Sequence, residues 1–274
     1  MKVFLNQLLE YLKFILYGLI QGLTEFIPVS STAHLKVISL FFGFDDPGHS
    51  VSAIIQFGSV LALFCYFRRD IFKLKSQRSR KFLNFLFHER IFKSILIGTI
   101  PIIVLGGTIK LYLPHYFDNI FRSNLSIAIL SLLMAIFMYF ADIKKGGFIN
   151  LNNHNYSDSL LIGLSQAFAI FAGVSRSGVT ISTALLSGWD RSDAAKFSFL
   201  LGIPAISFAA AIEFLSSFNE FSTLNFPLLI VGLTTSFLSS LLTIDFLLKY
   251  FSSNGLKLFI IYRVAFGLVI FLSL

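Results

Sequence analysis

The sequence is short of charged residues: Lys, Arg, Asp and Glu make up 13% of its 274 residues, whereas about 25% is usual in soluble domains. Hydrophobic residues make up 55%, and the mean hydropathy is +0.79. A soluble fold of this length would need more polar surface to stay dissolved. The deficit therefore excludes an ordinary soluble protein and predicts an integral membrane protein.

Cysteine and metal-ligand patterns are also nearly missing. Cys65 stands alone in an apolar run, which excludes a disulfide framework. No small-residue cleavage site follows the first apolar run, which begins at Leu8, so we expect no cleavable signal peptide. Four of the five histidines fall in predicted loops without the spacing of zinc ligands: His49, His88, His115 and His154.

Acidic residues are outnumbered by basic ones, 14 to 22, which gives a formal net charge of +8. Nine of the basic residues lie between Arg68 and Lys93, in one loop between two apolar runs. Basic residues concentrated in one such loop are typical of membrane topology and not of a nucleic-acid groove. We therefore expect membrane lipids, and no nucleic acid, among the partners.

Long apolar runs are abundant, and six have about the 20 residues that a spanning helix needs. Two further regions, about 7–44 and 158–189, are apolar but interrupted at Pro28–Ser31 and Gly173–Arg176. Broken backbone at membrane depth is tolerated only where protein or a water-filled cavity satisfies it. We predict an all-α polytopic membrane protein with two re-entrant helix–loop–helix hairpins and six transmembrane helices, at about 51–67, 94–112, 124–141, 194–215, 226–249 and 257–274.

The basic loops predict the orientation of these spans. If 68–93 is cytoplasmic, alternation puts 142–157, 191–196 and 249–257 on the same side, and these four regions hold fifteen basic residues. The loops on the opposite side hold one, Arg122. This bias follows the positive-inside rule. It predicts that both termini lie outside and that each hairpin begins and ends on its own side.

The chain also resembles itself at an offset of 145 residues. Each half then holds one hairpin and three spans, and because three is odd the halves have opposite orientations. We predict a single integral membrane domain built as an inverted-topology repeat, with repeat one at about 1–141 and repeat two at about 150–274. The matches bracket the polar motifs: Gln21, Phe26, Val29 and Ser30 fall on Gln166, Phe171, Val174 and Ser175.

The first hairpin carries an unusual set of polar residues. Gln21 and Glu25 are four residues apart and so share one helix face, and Pro28 then ends the helix. A carboxylate at membrane depth costs at least about 2.5 kcal/mol on insertion scales, which makes it a functional candidate. Capping of the next helix explains the hydroxyls of Ser30, Ser31 and Thr32. It does not explain the acid Glu25 or the imidazole of His34 beside them.

The second hairpin carries a guanidinium among hydroxyls. Arg176 is a permanent cation whose fork of donors suits phosphate oxygens. Gly173 and Gly178 allow backbone N–H groups to approach a ligand, and the helix that begins here aims its positive end at the site. Arg176 paired with Glu25 as a purely structural contact would not require the hydroxyls around it, which are Ser175, Ser177 and Thr180. Elsewhere, we expect Asp245 and Arg263 on neighbouring spans to pair structurally.

These groups predict phosphate chemistry on a lipid. A hydroxyl nucleophile needs a base, and Glu25 or His34 could serve. Arg176 and backbone N–H groups would stabilise charge on the transferred phosphoryl oxygens. An alternative is a transporter or flippase of a phosphorylated polyprenyl lipid, which would need Arg176 but not Ser31. A histidine-nucleophile phosphatase is disfavoured because no membrane-depth histidine follows Arg176.

At these residues the chain resembles the undecaprenyl pyrophosphate phosphatase family, which is also known for bacitracin resistance. The resemblance covers essentially the whole chain in family order, through QGLTEFIPVSSTAH at 21–34, GTIP at 98–101, GVSRSGVTIS at 173–182 and RSDAAKFSFLLGIP at 191–204. It implies hydrolysis of a C55 polyprenyl pyrophosphate to the monophosphate that carries cell-envelope precursors. It also implies a multi-pass protein of the bacterial plasma membrane, often a homodimer, with the site open to the extracytoplasmic side.

The resemblance also implies roles for individual residues. Ser31 would be the nucleophile or its closest partner, Glu25 and His34 would manage protons, and Arg176 would bind phosphate. Magnesium or calcium would activate the enzyme, with Glu25 as the metal ligand. The site would be lined by Gln21, Ser30, Thr32, Gly173, Ser175, Ser177 and Thr180.

Three positions depart from the family pattern. Gln21 stands where many members have Glu, which puts a two-carboxylate metal site in doubt. Ala172 replaces the usual proline before the second motif, and Ala33 replaces a common glycine. None of these changes removes a group that the predicted chemistry needs.

Overall fold

The computed structural model describes residues 2–44, 48–72, 90–112, 122–144, 147–216 and 225–274. Most of the predicted basic loop, and the opposite-side loops at 113–121 and 217–224, lie outside these residues. The described part is helical, with ten α-helices and no β-strand. The helices are α1 (Lys2–Phe26), α2 (Ser31–Phe42), α3 (Gly48–Phe72), α4 (Arg90–Tyr112), α5 (Asn124–Ile143), α6 (Tyr156–Ala167), α7 (Arg176–Leu186), α8 (Arg191–Ser216), α9 (Phe226–Phe251) and α10 (Lys257–Leu272).

Six described helices are long and apolar enough to cross a membrane: α1, α3, α4, α5, α8 and α9. The all-α polytopic prediction is confirmed, but the set of spans differs from the predicted one. The predicted span 257–274 is α10, whose 16 residues extend about 24 Å, less than a bilayer core of about 30 Å. Region 7–44 instead opens with the unbroken 25-residue helix α1, which ends at Phe26, two residues before Pro28.

Both interrupted regions fold as a helix, a loop and a short helix. Residues 27–30 join α1 to α2, and a 3₁₀ turn at Phe168–Ile170 followed by 171–175 joins α6 to α7. Within the described residues, Ser30 and Ser175 are the two non-glycine residues with positive φ, at 76° and 72°. This left-handed conformation is costly for a side chain with a Cβ and persists only where the surroundings enforce it. The two serines are 145 residues apart, which is the offset of the predicted repeat.

Helix packing has the same regularity. α1 packs along α9 and α6 packs along α4, while α3 packs on α8 and α5 on α10. The helices of the first two pairs, α1 with α9 and α6 with α4, approach each other very closely. A Cβ added at Gly18 would lie 2.4 Å from the Gly232 carbonyl oxygen, and a Cβ added at Gly163 would lie 2.4 Å from the Gly98 carbonyl oxygen. Small residues allow such approach between membrane helices. Gly18 and Gly163 are again 145 residues apart; the boundaries and inverted orientation of the repeats stay a prediction.

The predicted pair between Asp245 and Arg263 is wrong. The Asp245 carboxylate accepts hydrogen bonds from the Tyr66 hydroxyl at 3.1 Å and the Lys249 ammonium at 2.6 Å. Lys249 is one turn away on the same helix, where an opposite charge is a ready partner. Arg263 faces α5 and the two loops instead, and it donates to backbone carbonyls.

Candidate active site

A cavity lies where the two loops meet. Its walls come from both hairpins and from α3, α4 and α8. Apolar side chains form about half of the wall, mainly from α8 and the second loop. The polar residues that line it are Glu25, Ser30, Ser31, Thr32, Gln56, Ser175 and Arg176.

Glu25 is the centre of the polar network. One of its oxygens, Oε2, accepts hydrogen bonds from Gln21 Nε2 and from Ser31 Oγ, both at 2.7 Å. Its other oxygen, Oε1, lies 3.5 Å from Arg176 Nη2. The Ser31 hydroxyl therefore already points its proton toward the carboxylate that could accept it. The loop makes this contact possible, because it turns the chain back and brings the first residue of α2 beside the last turn of α1.

Arg176 keeps hydrogen-bond donors unused beside this pair. Its Nη1 donates to the Ser198 carbonyl oxygen at 2.9 Å, and its guanidinium lies 6.0 Å from the centre of the Phe26 ring. Nε and Nη2 are buried and meet no hydrogen-bond acceptor among the described residues, although Nη2 keeps the 3.5 Å ion-pair contact with Glu25. Buried donors are normally satisfied. A guanidinium with free donors at a polar cavity is therefore arranged for an anion with several oxygens.

The position of Arg176 depends on a glycine that sequence reasoning did not single out. A Cβ added at Gly202 on α8 would lie 2.5 Å from Arg176 Nη1 and 2.7 Å from its Cζ. Only a residue without a side chain leaves room for the guanidinium against α8. Gly202 belongs to the 191–204 run that carries part of the family resemblance, but no spacing rule connects it to Arg176.

Two helices begin at the cavity. α2 begins at Ser31 and α7 at Arg176, each directly after a serine with positive φ. The first N–H groups of a helix have no partner within it and attract anions. Ser175 caps α7 by accepting a hydrogen bond from the Gly178 N–H at 3.2 Å. The positive ends of α2 and α7 therefore converge on the same space as Arg176.

The remaining predicted residues hold the loops and do not line the cavity. The Gly173 N–H donates to Ser30 Oγ at 3.2 Å, and Ser177 Oγ donates to the Ile27 carbonyl oxygen at 3.2 Å. Gly173 has a φ of +101°, and a Cβ there would lie 3.0 Å from the Ile127 carbonyl oxygen, so the backbone requires glycine. Thr180 bonds to Ser198 Oγ at 2.6 Å and thereby connects α7 to α8.

His34 is not brought to the Glu25–Ser31 pair. Its Nδ1 lies 2.7 Å from the Ser30 carbonyl oxygen and its Nε2 lies 2.6 Å from the Tyr262 hydroxyl oxygen. The ring stacks on Phe266 with centroids 4.2 Å apart. Both nitrogens thus have partners, and the imidazole supports the loop behind Ser30. Its predicted part in proton transfer stays a prediction.

Gln56 is a cavity residue that sequence reasoning missed. It lies on α3, within a run that was assigned only a spanning role, and its partly exposed side chain faces the cavity. An amide in an apolar span is itself a signal, because an unsatisfied polar group is costly in a bilayer. Its carboxamide adds two donors and an acceptor to the wall contributed by α3.

A divalent cation fits this donor set poorly. Among the residues that the structure describes, Glu25 is the one carboxylate that lines the cavity, and it already accepts two hydrogen bonds and faces a guanidinium. The described residues contain no group of three His, Cys, Asp or Glu side chains that could hold a metal ion. Magnesium and calcium prefer several oxygen ligands, usually with more than one carboxylate. The side chains therefore do not form a cation site by themselves.

Comparison with known proteins shows the family of this chain. The profile of the family described as bacitracin resistance protein BacA matches residues 14–269. An undecaprenyl-diphosphatase of Prochlorococcus marinus strain MIT 9312 is 77% identical over 265 residues, covering 97% of this chain and 99% of the relative. An undecaprenyl-diphosphatase of Synechococcus sp. strain CC9311 is 43% identical over 256 residues, covering 92% and 90%. The match spans both loops, both short helices and every polar residue of the cavity, and the chain belongs to the bacitracin resistance protein BacA family.

Proposed function

We propose that this protein is a membrane hydrolase that converts undecaprenyl diphosphate to undecaprenyl phosphate and inorganic phosphate. The observation that carries the proposal is the Ser31–Glu25 hydrogen bond of 2.7 Å beside the Arg176 guanidinium, whose Nε and Nη2 make no hydrogen bond among the described residues, in one cavity. The names of the relatives supply the substrate. The activity returns the lipid carrier to cell-envelope synthesis and confers bacitracin resistance by removing the diphosphate form.

The first chemical step is attack by Ser31 on the terminal phosphorus. Glu25 accepts the hydroxyl proton as the bond from Ser31 Oγ to phosphorus forms. The bond from phosphorus to the bridging oxygen breaks, and undecaprenyl phosphate leaves with the bonding electron pair. Because the leaving group is a phosphate anion, it needs little protonation, which is consistent with His34 lying away from the pair.

The second step returns the serine. Water attacks the phosphoserine phosphorus, the bond to Ser31 Oγ breaks, and Glu25 returns its proton to the leaving serine oxygen, while both protons of the water leave on the released dihydrogen phosphate. The products are inorganic phosphate and the original hydroxyl. If water instead attacks the lipid diphosphate directly, Glu25 serves as its base and Ser31 orients it. The two routes differ in whether a phosphoserine forms.

Charge stabilisation falls to Arg176 and the two helix ends. Phosphoryl transfer spreads negative charge over three oxygens, and positioned donors supply most of the rate enhancement. Nε and Nη2 of Arg176 make no hydrogen bond among the described residues and can take two of these oxygens side by side, with Nη2 leaving its 3.5 Å contact with Glu25. The first N–H groups of α2 and α7 lie at the same cavity.

The direct experiment is phosphate release by the purified protein from undecaprenyl diphosphate in detergent. We expect one phosphate per lipid and accumulation of the monophosphate. A transporter or flippase of a phosphorylated polyprenyl lipid is the second candidate, because the paired loops resemble an inverted repeat. It predicts no release in detergent but movement of the lipid across proteoliposomes, and that result would replace the hydrolase proposal.

Magnesium or calcium activation remains part of the proposal, with the ion bound together with the substrate. The diphosphate would supply most of the oxygen ligands, since the described part of the chain offers one carboxylate that lines the cavity. This arrangement predicts weak activation that depends on substrate. It assigns no step of the reaction to the ion.

Gln21→Glu is expected to lower the magnesium concentration for half-maximal activity by about tenfold or more, because it adds a second carboxylate to the face that holds Glu25. A magnesium titration of initial rate, after chelator treatment, measures the change. Gln21→Met is the matched control, since it also loses the hydrogen bond from the Gln21 side-chain amide to Glu25 but adds no charge. Equal half-activation constants in the Glu and Met variants would contradict the proposed binding mode.

We place the protein in the bacterial plasma membrane with the cavity open to the extracytoplasmic side, and we include a homodimer in the proposal. The distribution of basic loops supports the orientation. The dimer is supported by the family resemblance alone. Cross-linking in native membranes, with a band at twice the chain mass, tests the dimer.

The orientation predicts which introduced cysteines can be labelled from outside the cell, in a protein whose own Cys65 is replaced by serine. In intact cells an impermeant maleimide is expected to label Asn225→Cys, at the exposed start of α9, and not Ser253→Cys, exposed between α9 and α10. Both positions should label once the membrane is permeabilised, which controls for reactivity. The reverse pattern in intact cells would overturn the orientation.

A further inference from the structure

Arg263 is a buried cation that reaches both loops. Its side chain lies on α10 and is 0% exposed. Nη1 donates to the Pro28 carbonyl oxygen of the first loop at 2.9 Å, and Nη2 donates to the Gly173 carbonyl oxygen of the second. Nε lies 3.4 Å from the Ser131 carbonyl oxygen on α5. One guanidinium thus joins two loops that are 145 residues apart in sequence to a third helix.

This charge has no acidic partner among the described residues. The ion pairs there join other residues, and every partner of Arg263 is a backbone carbonyl. Burying a charge costs several kcal/mol unless it is paired or well hydrogen-bonded. A neutral side chain would fill the space at less cost. What Arg263 adds is a rigid planar fork that fixes the separation of the two carbonyls it binds.

The carbonyls it holds adjoin the catalytic groups. Pro28 lies three residues before Ser31, and Gly173 lies three residues before Arg176. Gly173 is held from two sides, because its N–H donates to Ser30 Oγ while its carbonyl accepts from Arg263. A shift of either carbonyl would change how Ser31 faces the guanidinium of Arg176.

α10 is itself held firmly. A Cβ at Gly267, one turn after Arg263, would lie 2.9 Å from Leu132 of α5, so the two helices are in close contact. Tyr262 and Phe266 of the same helix contact His34 behind the first loop. The short α10, which was predicted from sequence only as a span, forms a support against which both loops rest.

We propose that Arg263 is a positioning residue that holds the two loops in register, so that the Ser31–Glu25 pair and the guanidinium of Arg176 face one phosphoryl group. Arg263 does not line the cavity and so acts through the backbone of the loops. The kinetic part of this inference rests on the proposed hydrolase activity. The structural part does not.

The test uses the full-length protein with Arg263→Lys and Arg263→Gln, and with Arg191→Lys as the matched control on an exposed arginine. Lys keeps the charge but cannot hold three carbonyls as the planar fork does. We expect kcat to fall about tenfold to a hundredfold in both Arg263 variants, since a displacement of about 1 Å costs this much. KM should change little, because substrate-binding groups remain. Arg191→Lys should behave as wild type.

A second readout does not depend on activity. Spin labels at Leu23→Cys on α1 and Leu164→Cys on α6, both exposed side chains, report the separation of the hairpins in a Cys65→Ser background. We expect a narrow distance distribution in wild type and in Arg191→Lys, and a broadened one in both Arg263 variants. Narrow distributions in the Arg263 variants would overturn the inference.

The kinetic outcomes are equally decisive. Wild-type kcat in folded Arg263→Gln would overturn the inference, as would a rise in KM with kcat unchanged, which would indicate substrate binding instead. If Arg263→Gln fails to fold, Arg263→Lys alone decides by the same criteria. If wild type releases no phosphate, the proposed activity fails, and the spin-label widths still decide whether Arg263 positions the loops.

Discussion

Replacing Ser31 with alanine is expected to lower kcat for phosphate release by about 10³-fold or more, with little change in KM. The variant removes the hydroxyl that donates to Glu25 at 2.7 Å, and loss of a nucleophile commonly costs this much or more. Arg176 and the helix ends are untouched, so substrate should still bind. Initial rates over a range of undecaprenyl diphosphate concentrations separate kcat from KM.

The control is Ser252→Ala, an exposed serine at the end of α9, which should keep the wild-type rate. Thermal unfolding in detergent checks that Ser31→Ala remains folded. A phosphoserine trapped on Ser31 in wild type would establish the covalent route. Wild-type kcat in Ser31→Ala would contradict a role for this hydroxyl and move the nucleophile elsewhere.

Replacing Arg176 with lysine is expected to lower kcat/KM by about 10³-fold, through both kcat and KM. Lysine keeps one positive charge but loses the two side-by-side donors, Nε and Nη2, that make no hydrogen bond among the described residues. Loss of a donor to developing charge typically costs 10²- to 10³-fold, and here binding of the ground-state phosphate weakens as well. Arg176→Ala should abolish turnover.

Two measurements separate this effect from misfolding and from loss of Ser31. Inhibition by inorganic pyrophosphate should weaken in Arg176→Lys but not in Ser31→Ala, because of these two side chains it is the arginine that binds phosphate oxygens. Arg191→Lys, which changes an exposed arginine in an ion pair with Asp142, is the matched control. Unchanged kcat/KM in folded Arg176→Lys would refute phosphate binding by its fork.

Much of the candidate site could be predicted from local sequence because the relevant distances are short along the chain. Gln21 and Glu25 share a helix face by their spacing, and they are hydrogen-bonded. Ser31 follows six residues after Glu25 across a proline-broken turn, so a single loop determines their contact. Helix starts at Ser31 and Arg176 likewise follow from nearby residues.

Contacts between distant segments could not be predicted in this way. The position of Arg263 and Asp245 on neighbouring predicted spans predicts a pair, yet the face of α10 that carries Arg263 meets the carbonyl groups of Pro28 and Gly173. His34 was assigned to proton transfer beside Glu25, but its ring turns to Tyr262 and Phe266. A spacing of 3.6 residues per turn gives relative faces within one helix and says nothing about which face meets which neighbour.

The sequence by itself determined that the protein is a helical membrane protein, where its backbone breaks, and which side chains at those breaks can handle phosphate. These properties follow from composition, run length and local spacing, which act over a few residues. Only the tertiary structure decided that Gly202 makes room for Arg176, that Gln56 faces the cavity and that Arg263 joins the loops. The physical reason is that side chains on different helices meet through packing in three dimensions, and no periodicity within one helix encodes that packing.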